Sequence, residues 1–400
     1  MRKGAVIFSL FIMSLFLLIS CGEKIKIQKL RVEEGKSFEK FNFKKIGEMT
    51  LWGGWCLACP QGIFCFEVLD RQWREFKFKL YDYSGNLKKE RILASGEGPN
   101  QIKATNFEYA WLSSSGKIYC DDLDNYLKAI DPETFEIETI AKLSNVINGY
   151  GSKYIFGRNS ASSLEDKDNR IVTSFESTGF YENMTYYIVT CNGVFENLSV
   201  IATAKKERPW TWAELRKRIN HVDYYAGLRL KRILSVDWQR GVVYYLSDIE
   251  KPEIESVDFE GKRKDRYLID IDFKKFKFEK EELELWQRYV DSDSDLPSAI
   301  KNFYKTILYI PAHAPALMGI KVRGDLLLII TGNRDWKKEK NEVLVYRLPS
   351  LSYEGNFYIP FPNQLKTIWD DNYNFYTIQN LIEKEDGYYF SYEIFKVEEK

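Results

Sequence analysis

The chain has 400 residues, of which 44% are hydrophobic and 29% are charged, and this balance excludes a disordered chain. Its 58 basic residues equal its 58 acidic ones, so the total charge predicts no nucleic-acid partner. Only two histidines occur, His221 and His313, which excludes a metal site built from several histidines. We therefore expect no metal and no other cofactor. Aromatic residues make up 16% of the chain, and they favour β structure.

The amino terminus has the pattern of an export signal. Arg2 and Lys3 precede an apolar stretch from Ala5 to Ile19, which has the length of a signal-peptide core and is short for a membrane span. The string Leu-Ile-Ser-Cys-Gly at 18–22 resembles the lipobox of bacterial lipoproteins. The resemblance implies cleavage before Cys21 and a diacylglycerol and palmitate anchor on that cysteine. The alternative is an uncleaved anchor helix in which Cys21 is incidental.

Either alternative predicts a cell-envelope protein that is attached to a membrane and faces outside the cytoplasm. Gly22 rather than Asp follows the cysteine, which favours the outer membrane in a Gram-negative organism. The predicted domains are a signal peptide at 1–20, a lipidated tether at 21–45 and a folded part at 46–400.

The folded part repeats one unit six times. Each unit is a short apolar strand, often opened by Gly, followed by a second strand that closes in a polar turn. Hairpins repeated about every 40–60 residues are typical of β-propeller blades. The six units lie at 62–85, 116–134, 170–193, 241–261, 324–350 and 374–395.

We therefore predict an all-β fold, a six-bladed β-propeller with two short helical insertions between blades. The first insertion has Thr211 and Glu214 at the spacing of a capping box, and the second has helical periodicity over 278–290. The last unit has only two or three predicted strands. We therefore expect Phe38 to Phe43 to complete this blade and close the ring, because an open ring leaves exposed edges.

One short motif carries a family resemblance. The string Gly-Glu-Gly-Pro-Asn-Gln at 96–101 resembles the Gly-x-Gly-Pro-Gly-x-Phe connection of NHL-like six-bladed β-propeller lipoproteins of bacteria. The chain departs from that pattern at Asn100 and Ile102. The resemblance implies the propeller fold and a surface or periplasmic setting, and it implies no mechanism.

Four residues are candidates for ligand binding. Trp210 and Trp212 in the first insertion can stack on a sugar or a protein surface, although they can equally pack the insertion onto the propeller. His221 follows that insertion, and His313 lies between two prolines, where it can face the central channel or be an ordinary loop residue.

The most distinctive cysteine motif is Trp-Cys-Leu-Ala-Cys-Pro at 55–60. It resembles the motif of thioredoxin-like reductases, but a helix does not follow it, so we favour a local disulfide or buried thiols. The mature chain has five cysteines besides Cys21, so at least one stays unpaired; the sequence leaves the pairing open among Cys56, Cys59, Cys65, Cys120 and Cys191.

These features predict a membrane-tethered binding or docking module whose ligand is an envelope protein, a glycan or a small molecule. An alternative is a propeller enzyme of lactonase or lyase type with a metal in its channel, built from Asp122, Asp237, Asp248 and His313. A third is an envelope assembly factor that uses the disc as a docking surface. We expect the function at the mouth that carries the insertions 208–225 and 274–303.

Overall fold

The computed structural model describes most of the chain after residue 26. The described residues are 27–51, 54–69, 74–96, 98, 100–103, 110–122, 126–142, 156–177, 183–192, 197–207, 234–248, 251–276, 284, 288, 291–292, 316–335, 338, 340–360, 364–370 and 373–400. They contain 25 β-strands and one 3-10 helix, Phe273–Lys275. None of these residues belongs to a helix long and apolar enough to span a bilayer.

Two strands, β1 (Ile27–Leu30) and β2 (Phe41–Leu51), precede the first complete sheet. The first three blades then follow the chain in order, each with four strands. Blade 1 contains β3 (Trp55–Cys59), β4 (Gly62–Val68), β5 (Glu75–Tyr81) and β6 (Leu87–Ala94). Blade 2 contains β7 (Trp111–Leu112), β8 (Ile118–Asp121), β9 (Tyr126–Ile130) and β10 (Ile137–Lys142). Blade 3 contains β11 (Phe156–Lys167), β12 (Arg170–Ser177), β13 (Asn183–Asn192) and β14 (Ser199–Glu207).

Blades 4 to 6 follow the same plan, but the two early strands join them. Blade 4 contains β15 (Leu234–Asp237), β16 (Val242–Asp248), β17 (Glu253–Asp258) and β18 (Lys264–Ile269), with β1 added beside β18. Blade 5 contains β19 (Leu317–Arg323), β20 (Leu326–Asp335), β21 (Lys340–Arg347) and β22 (Ser352–Pro360). Blade 6 contains β23 (Gln364–Asp370), β24 (Phe375–Lys384) and β25 (Gly387–Glu399), with β2 as its fourth strand.

Apolar clusters between neighbouring sheets close the ring. One cluster joins blade 1 to blades 2 and 6, and four others fill the interfaces between blades 2 and 3, 3 and 4, 4 and 5, and 5 and 6. Every blade is therefore packed on both sides, as alternating side chains of an up-and-down sheet allow. The architecture is a six-bladed β-propeller.

The first strand of each blade lies nearest the axis. First strands of neighbouring blades contact one another, as β15 does with β11 and β19, whereas β2 occupies the opposite edge of its sheet. The N-terminal strands therefore run along the outer rim. The strand β2 pairs antiparallel with β25 from Phe41 opposite Glu399 to Leu51 opposite Phe390. The segment expected to close the ring contributes only Phe41 to Phe43 to a longer strand, which crosses the predicted domain boundary at residue 46.

The up-and-down order of each blade gives the disc two different faces. Turns between first and second strands, and between third and fourth strands, lie on one face, which we call the turn face. Connections from one blade to the next lie on the other, which we call the loop face. On the turn face Gly62 has φ of 142°, and a Cβ there would lie 1.9 Å from the carbonyl oxygen of Tyr81, so only glycine fits this turn.

Both predicted helical insertions begin after strands that end on the loop face. The first runs from the end of β14 to the start of β15, and its residues 208–233 lie outside the described part of the chain. In the second, the described residues Glu284, Arg288, Asp291 and Ser292 have α-helical backbone, and no complete α-helix is described. The all-β propeller is confirmed, and the helical nature of the insertions stays a prediction.

Candidate functional site at the propeller axis

The residues singled out from the sequence fall outside the described part of the chain. Cys21, Trp210, Trp212, His221 and His313 all belong to segments without described placement. The lipidation site and the four binding residues therefore stay predictions.

The aspartates suggested for a channel metal site do not come together: Asp122 lies in blade 2, whereas Asp237 and Asp248 lie in blade 4, at the ends of β15 and β16. Asp122 follows β8 in blade 2, is 5% exposed and lies 3.8 Å from the ammonium of buried Lys128. Asp237 ends β15 in blade 4 and accepts hydrogen bonds from the backbone N–H groups of its turn and from the Arg240 guanidinium at 2.8 Å. Each carboxylate is held by its own local partners. Among the described residues no group of three or more His, Cys, Asp or Glu could hold a metal ion.

A polar cluster joins the inner edges of blades 3, 4 and 5. One carboxylate oxygen of Glu165, near the end of β11, accepts hydrogen bonds from the Ser235 hydroxyl at 2.7 Å and the Lys321 ammonium at 3.0 Å. Its other oxygen accepts the Val236 N–H at 3.0 Å. The Ser235 hydroxyl in turn accepts the Val322 N–H at 2.9 Å. We call Glu165, Ser235 and Lys321 the axis cluster.

Solvent has little access to the axis cluster. Ser235 is 0% and Lys321 6% exposed, and the Glu165 side chain is 15% exposed. In so little water, a charge without its partner would carry a large desolvation penalty, so the lysine and the glutamate depend on each other. Both Glu165 oxygens are occupied, and the cluster therefore holds three first strands in place beside the axis.

A second bridge lies beside it on the turn face. The Ser114 N–H and hydroxyl, in the turn after β7, both donate to the Asp166 carboxylate in blade 3. The Tyr373 hydroxyl of blade 6 donates to the carbonyl oxygen of Ser114 at 3.3 Å. Burial raises the pKa of the Asp166 carboxyl, the Ser114 hydrogen bonds oppose that rise, and the nearby Glu165 charge adds to it. The inner turns of three blades are thus linked around the axis.

The cysteines do not form a reductase site. Cys56 is bonded to Cys65 on the neighbouring strand β4, and Cys59 is a separate buried thiol. The expected local disulfide is therefore present. The motif lies on strand β3 and a turn rather than at the start of a helix, so it lacks the helix that lowers the thiol pKa in reductases. Burial raises the pKa of the Cys59 thiol to about 11, which keeps it protonated and unreactive.

An open groove of about 520 Å³ lies between blades 5 and 6 on the turn face. Arg323 lines it and is held by the Glu399 carboxylate at 3.3 Å and over the Phe41 ring at 5.2 Å. Lys396, on the other wall, donates to the carbonyl oxygen of Tyr373 at 3.0 Å. Both cations of the groove are thus engaged within the chain.

Sequence reasoning missed the axis cluster. Its only signal is a polar residue inside an apolar strand, such as Lys321 in Met-Gly-Ile-Lys-Val at 318–322 or Ser235 in β15. Periodicity alone treats such a residue as one that faces solvent.

No family model matches the chain, and no curated protein matches it. Among solved structures it is similar to a chain of a nidogen–laminin complex, with a TM-score of 0.36, 7% identity, and coverage of 80% of this chain and 92% of that one. It is also similar to the N-terminal domain of Nup159, with a TM-score of 0.36, 10% identity, and coverage of 93% and 100%.

A third similar structure is PorZ, a surface component of the type-IX secretion system of Porphyromonas gingivalis. Its TM-score is 0.39 and its identity 7%, over 85% of this chain and 36% of PorZ. The six-bladed architecture follows from the strand pairing itself, and these likenesses add nothing about function.

Proposed function

We propose that the protein is a membrane-tethered lipoprotein whose propeller lies outside the cytoplasm and acts as a binding or docking module. The observation that carries the proposal is the separation of two features on the disc. The N-terminal chain, with the lipobox at 18–22, reaches the fold at the turn face of blade 4, whereas both long insertions leave the loop face. The anchor and the insertions therefore belong to opposite faces.

The N-terminal strand supports the position of the anchor. Strand β1 pairs in parallel with β18, from Ile27 opposite Arg266 to Leu30 opposite Ile269. Because β18 starts just after a turn of the turn face, a strand parallel to it also starts at that face. The lipid on Cys21 is then attached six residues before Ile27, where the chain joins the turn face of the disc.

The disulfide supports a location outside the cytoplasm. The bond between Cys56 and Cys65 closes a short hairpin inside blade 1. Disulfides persist in oxidising compartments and are rare in the reducing cytosol. An exported propeller accounts for both the disulfide and the apolar leader.

The binding site in this proposal is the loop face between blades 3 and 5. The insertions 208–225 and 274–303 follow the fourth strands β14 and β18 and lead to the first strands β15 and β19, which the axis cluster ties to blade 3. Loops held by a rigid scaffold are the usual place for ligand recognition. The α-helical backbone at Glu284 and Arg288 supports a helical second insertion. We assign ligand contact to Trp210, Trp212 and His221 of the first insertion and to His313 of the segment before blade 5.

The lipidation is tested by growing cells with an alkyne fatty acid and comparing the native chain with Cys21→Ala. We expect label on the native protein, none on the variant, and an unprocessed precursor of the variant, because lipidation precedes cleavage at a lipobox. Cys191→Ala, which removes a buried thiol of blade 3, is the matched control and should label normally. Normal processing and labelling of Cys21→Ala would overturn the proposal.

The binding face is tested with the double variant Trp210→Ala and Trp212→Ala, using cross-linking in intact cells to trap envelope partners. We expect the cross-linked species to weaken while the urea midpoint stays unchanged. Tyr358→Ala removes an aromatic side chain that is 45% exposed on the outer strand of blade 5, and it should leave cross-linking intact. An equal loss in both variants would place the binding face elsewhere.

A further inference from the structure

The chain between the predicted lipid and the first strand is short. Only Gly22 to Lys26 separate Cys21 from Ile27. Six residue steps span at most about 20 Å when fully extended. A lipid on Cys21 therefore keeps the start of β1, at the turn face of blade 4, within about 20 Å of the bilayer surface.

The part of the disc that this tether holds near the bilayer is basic. Three consecutive cations, Lys262, Arg263 and Lys264, are exposed where the β17–β18 turn enters β18, and Lys29 is exposed on the adjoining β1. The Asp258 carboxylate at the base of the turn accepts the backbone N–H groups of Lys262 and Arg263, at 2.7 and 3.1 Å. These hydrogen bonds hold the backbone of the turn and do not involve the cationic side chains.

Acidic side chains nearby neutralise only part of the positive charge of this edge. Glu260 and Asp265 lie in the same stretch, and Arg266 is paired with Glu255 at 2.8 Å. The tether segment 22–31 adds Lys24, Lys26, Lys29 and Arg31 against a single acid, Glu23. The whole chain has zero net charge, so this excess of cations is local. Ile27, at the start of β1, is 55% exposed and adds an apolar side chain to the same edge.

We propose that this basic edge of blade 4, formed by β1 and the turn 258–264, lies against the anionic headgroups of the membrane that carries the Cys21 lipid. The inference rests on the lipidation proposed above. Cations within a Debye length of an anionic surface are attracted to it, and a lipid chain supplies the second, hydrophobic part of the attachment. With the blade 4 edge at the bilayer, neither face of the disc lies flat on the membrane.

Two single-cysteine labels on the full lipidated protein test the orientation. Lys262→Cys places a fluorophore on the β17–β18 turn of blade 4. Ser84→Cys places it on the corresponding turn of blade 1, which is the opposite blade on the same face. Native Cys59, Cys120 and Cys191 are buried, and burial raises the pKa of the Cys59 thiol to about 11 and that of Cys191 to about 12, so they label slowly.

The labelled proteins are reconstituted into vesicles that contain phosphatidylglycerol and a headgroup spin-label quencher. We expect several-fold stronger quenching at position 262 than at position 84. In vesicles of phosphatidylcholine alone, or at 1 M salt where the Debye length is about 3 Å, the excess at position 262 should fall to the smaller value that the tether alone gives. The double variant Lys264→Ser with Arg263→Ser should lower it in anionic vesicles, whereas Lys88→Ser with Arg91→Ser on blade 1 should not.

The outcomes separate the two proposals. Equal quenching at both positions, on protein that stays bound to the vesicles, would overturn the orientation and leave the lipid anchor standing. An excess at position 262 that is equally large in anionic vesicles, in neutral vesicles and at high salt would overturn the role of the cations. Failure of the wild-type protein to stay on the vesicles would overturn the lipoprotein proposal itself.

Discussion

The outer and inner edges of the propeller join neighbouring blades in different ways. At the outer edge one stretch of backbone, residues 27–51, pairs with blade 4 through β1, with blade 5 through a bridge between Ser37 and Asn356, and with blade 6 through β2. At the inner edge three side chains, the axis cluster, join blades 3, 4 and 5. The first arrangement uses main-chain groups that every residue has, and the second depends on single ionisable groups.

This difference predicts where the fold tolerates change. Exposed substitutions along the rim leave the backbone ladder intact, so their effect on stability is small unless the side chain is buried. Removal of the Lys321 ammonium takes from the buried Glu165 carboxylate its charged partner in a site with little water. The inner edge should therefore be the more sensitive of the two.

The largest effect is expected from Lys321→Ala. Removing the ammonium leaves the Glu165 carboxylate buried with only neutral donors, and breaking a buried ion pair from one side costs about 3–5 kcal/mol of unfolding free energy. Urea denaturation of this variant beside Lys29→Ala, an exposed lysine on β1, measures the contrast. A loss below about 1 kcal/mol would mean that the pair does not hold the inner edge.

A loss of about 3 kcal/mol is expected from Phe41→Ala in β2. The Phe41 side chain is 8% exposed and packs 5.4 Å from the Phe357 ring of blade 5, so its removal leaves a cavity where the ring closes. Ile27→Ala in β1 should change the unfolding free energy by less than about 0.5 kcal/mol, because that side chain is exposed. Equal losses in the two variants would show that β2 has no special role in closure.

The smallest effect is expected from the pH dependence of Asp166. Its folded pKa is raised above the ordinary value of 3.8, mainly by burial, so the folded state binds more protons than the unfolded chain in the interval above that value. Stability from this group is therefore lost as pH rises through the interval. The melting temperature of the wild type should fall relative to that of Asp166→Asn as the pH rises through this interval. Curves that stay parallel would contradict the raised pKa of Asp166.

The sequence predicted the middle of each blade best. All six hairpin units coincide with the second and third strands, from β4 and β5 to β24 and β25, which lie in the middle of each sheet and are rich in apolar residues. First and fourth strands were harder to find, because some are very short, as β7 is with two residues, and others are polar, as β6 is with an exposure pattern open to solvent along most of its length.

Ring closure was only partly predictable. Alternation in Phe38 to Phe43 indicated a strand, but the pattern breaks at Lys44 and Lys45, where the strand continues as an outer edge that side-chain alternation does not mark. The parallel pairing of β1 had no sequence signal, because its register depends on where the chain lies after the ring has formed.

The candidate site was the least predictable part. Glu165, Ser235 and Lys321 are far apart in sequence and meet only because three first strands converge on the axis. Asp122 and Asp237 looked alike in sequence, yet the fold places them in different blades with different partners. Long-range convergence of this kind is set by tertiary packing, and a local pattern does not contain it.

The intact mass of the protein extracted from membranes tests whether an N-terminal lipid holds this propeller there. We expect a chain that starts at residue 21 and carries a diacylglyceryl group with acyl chains on Cys21. A mass that includes residues 1–20, or one that starts at residue 21 without lipid, would contradict it.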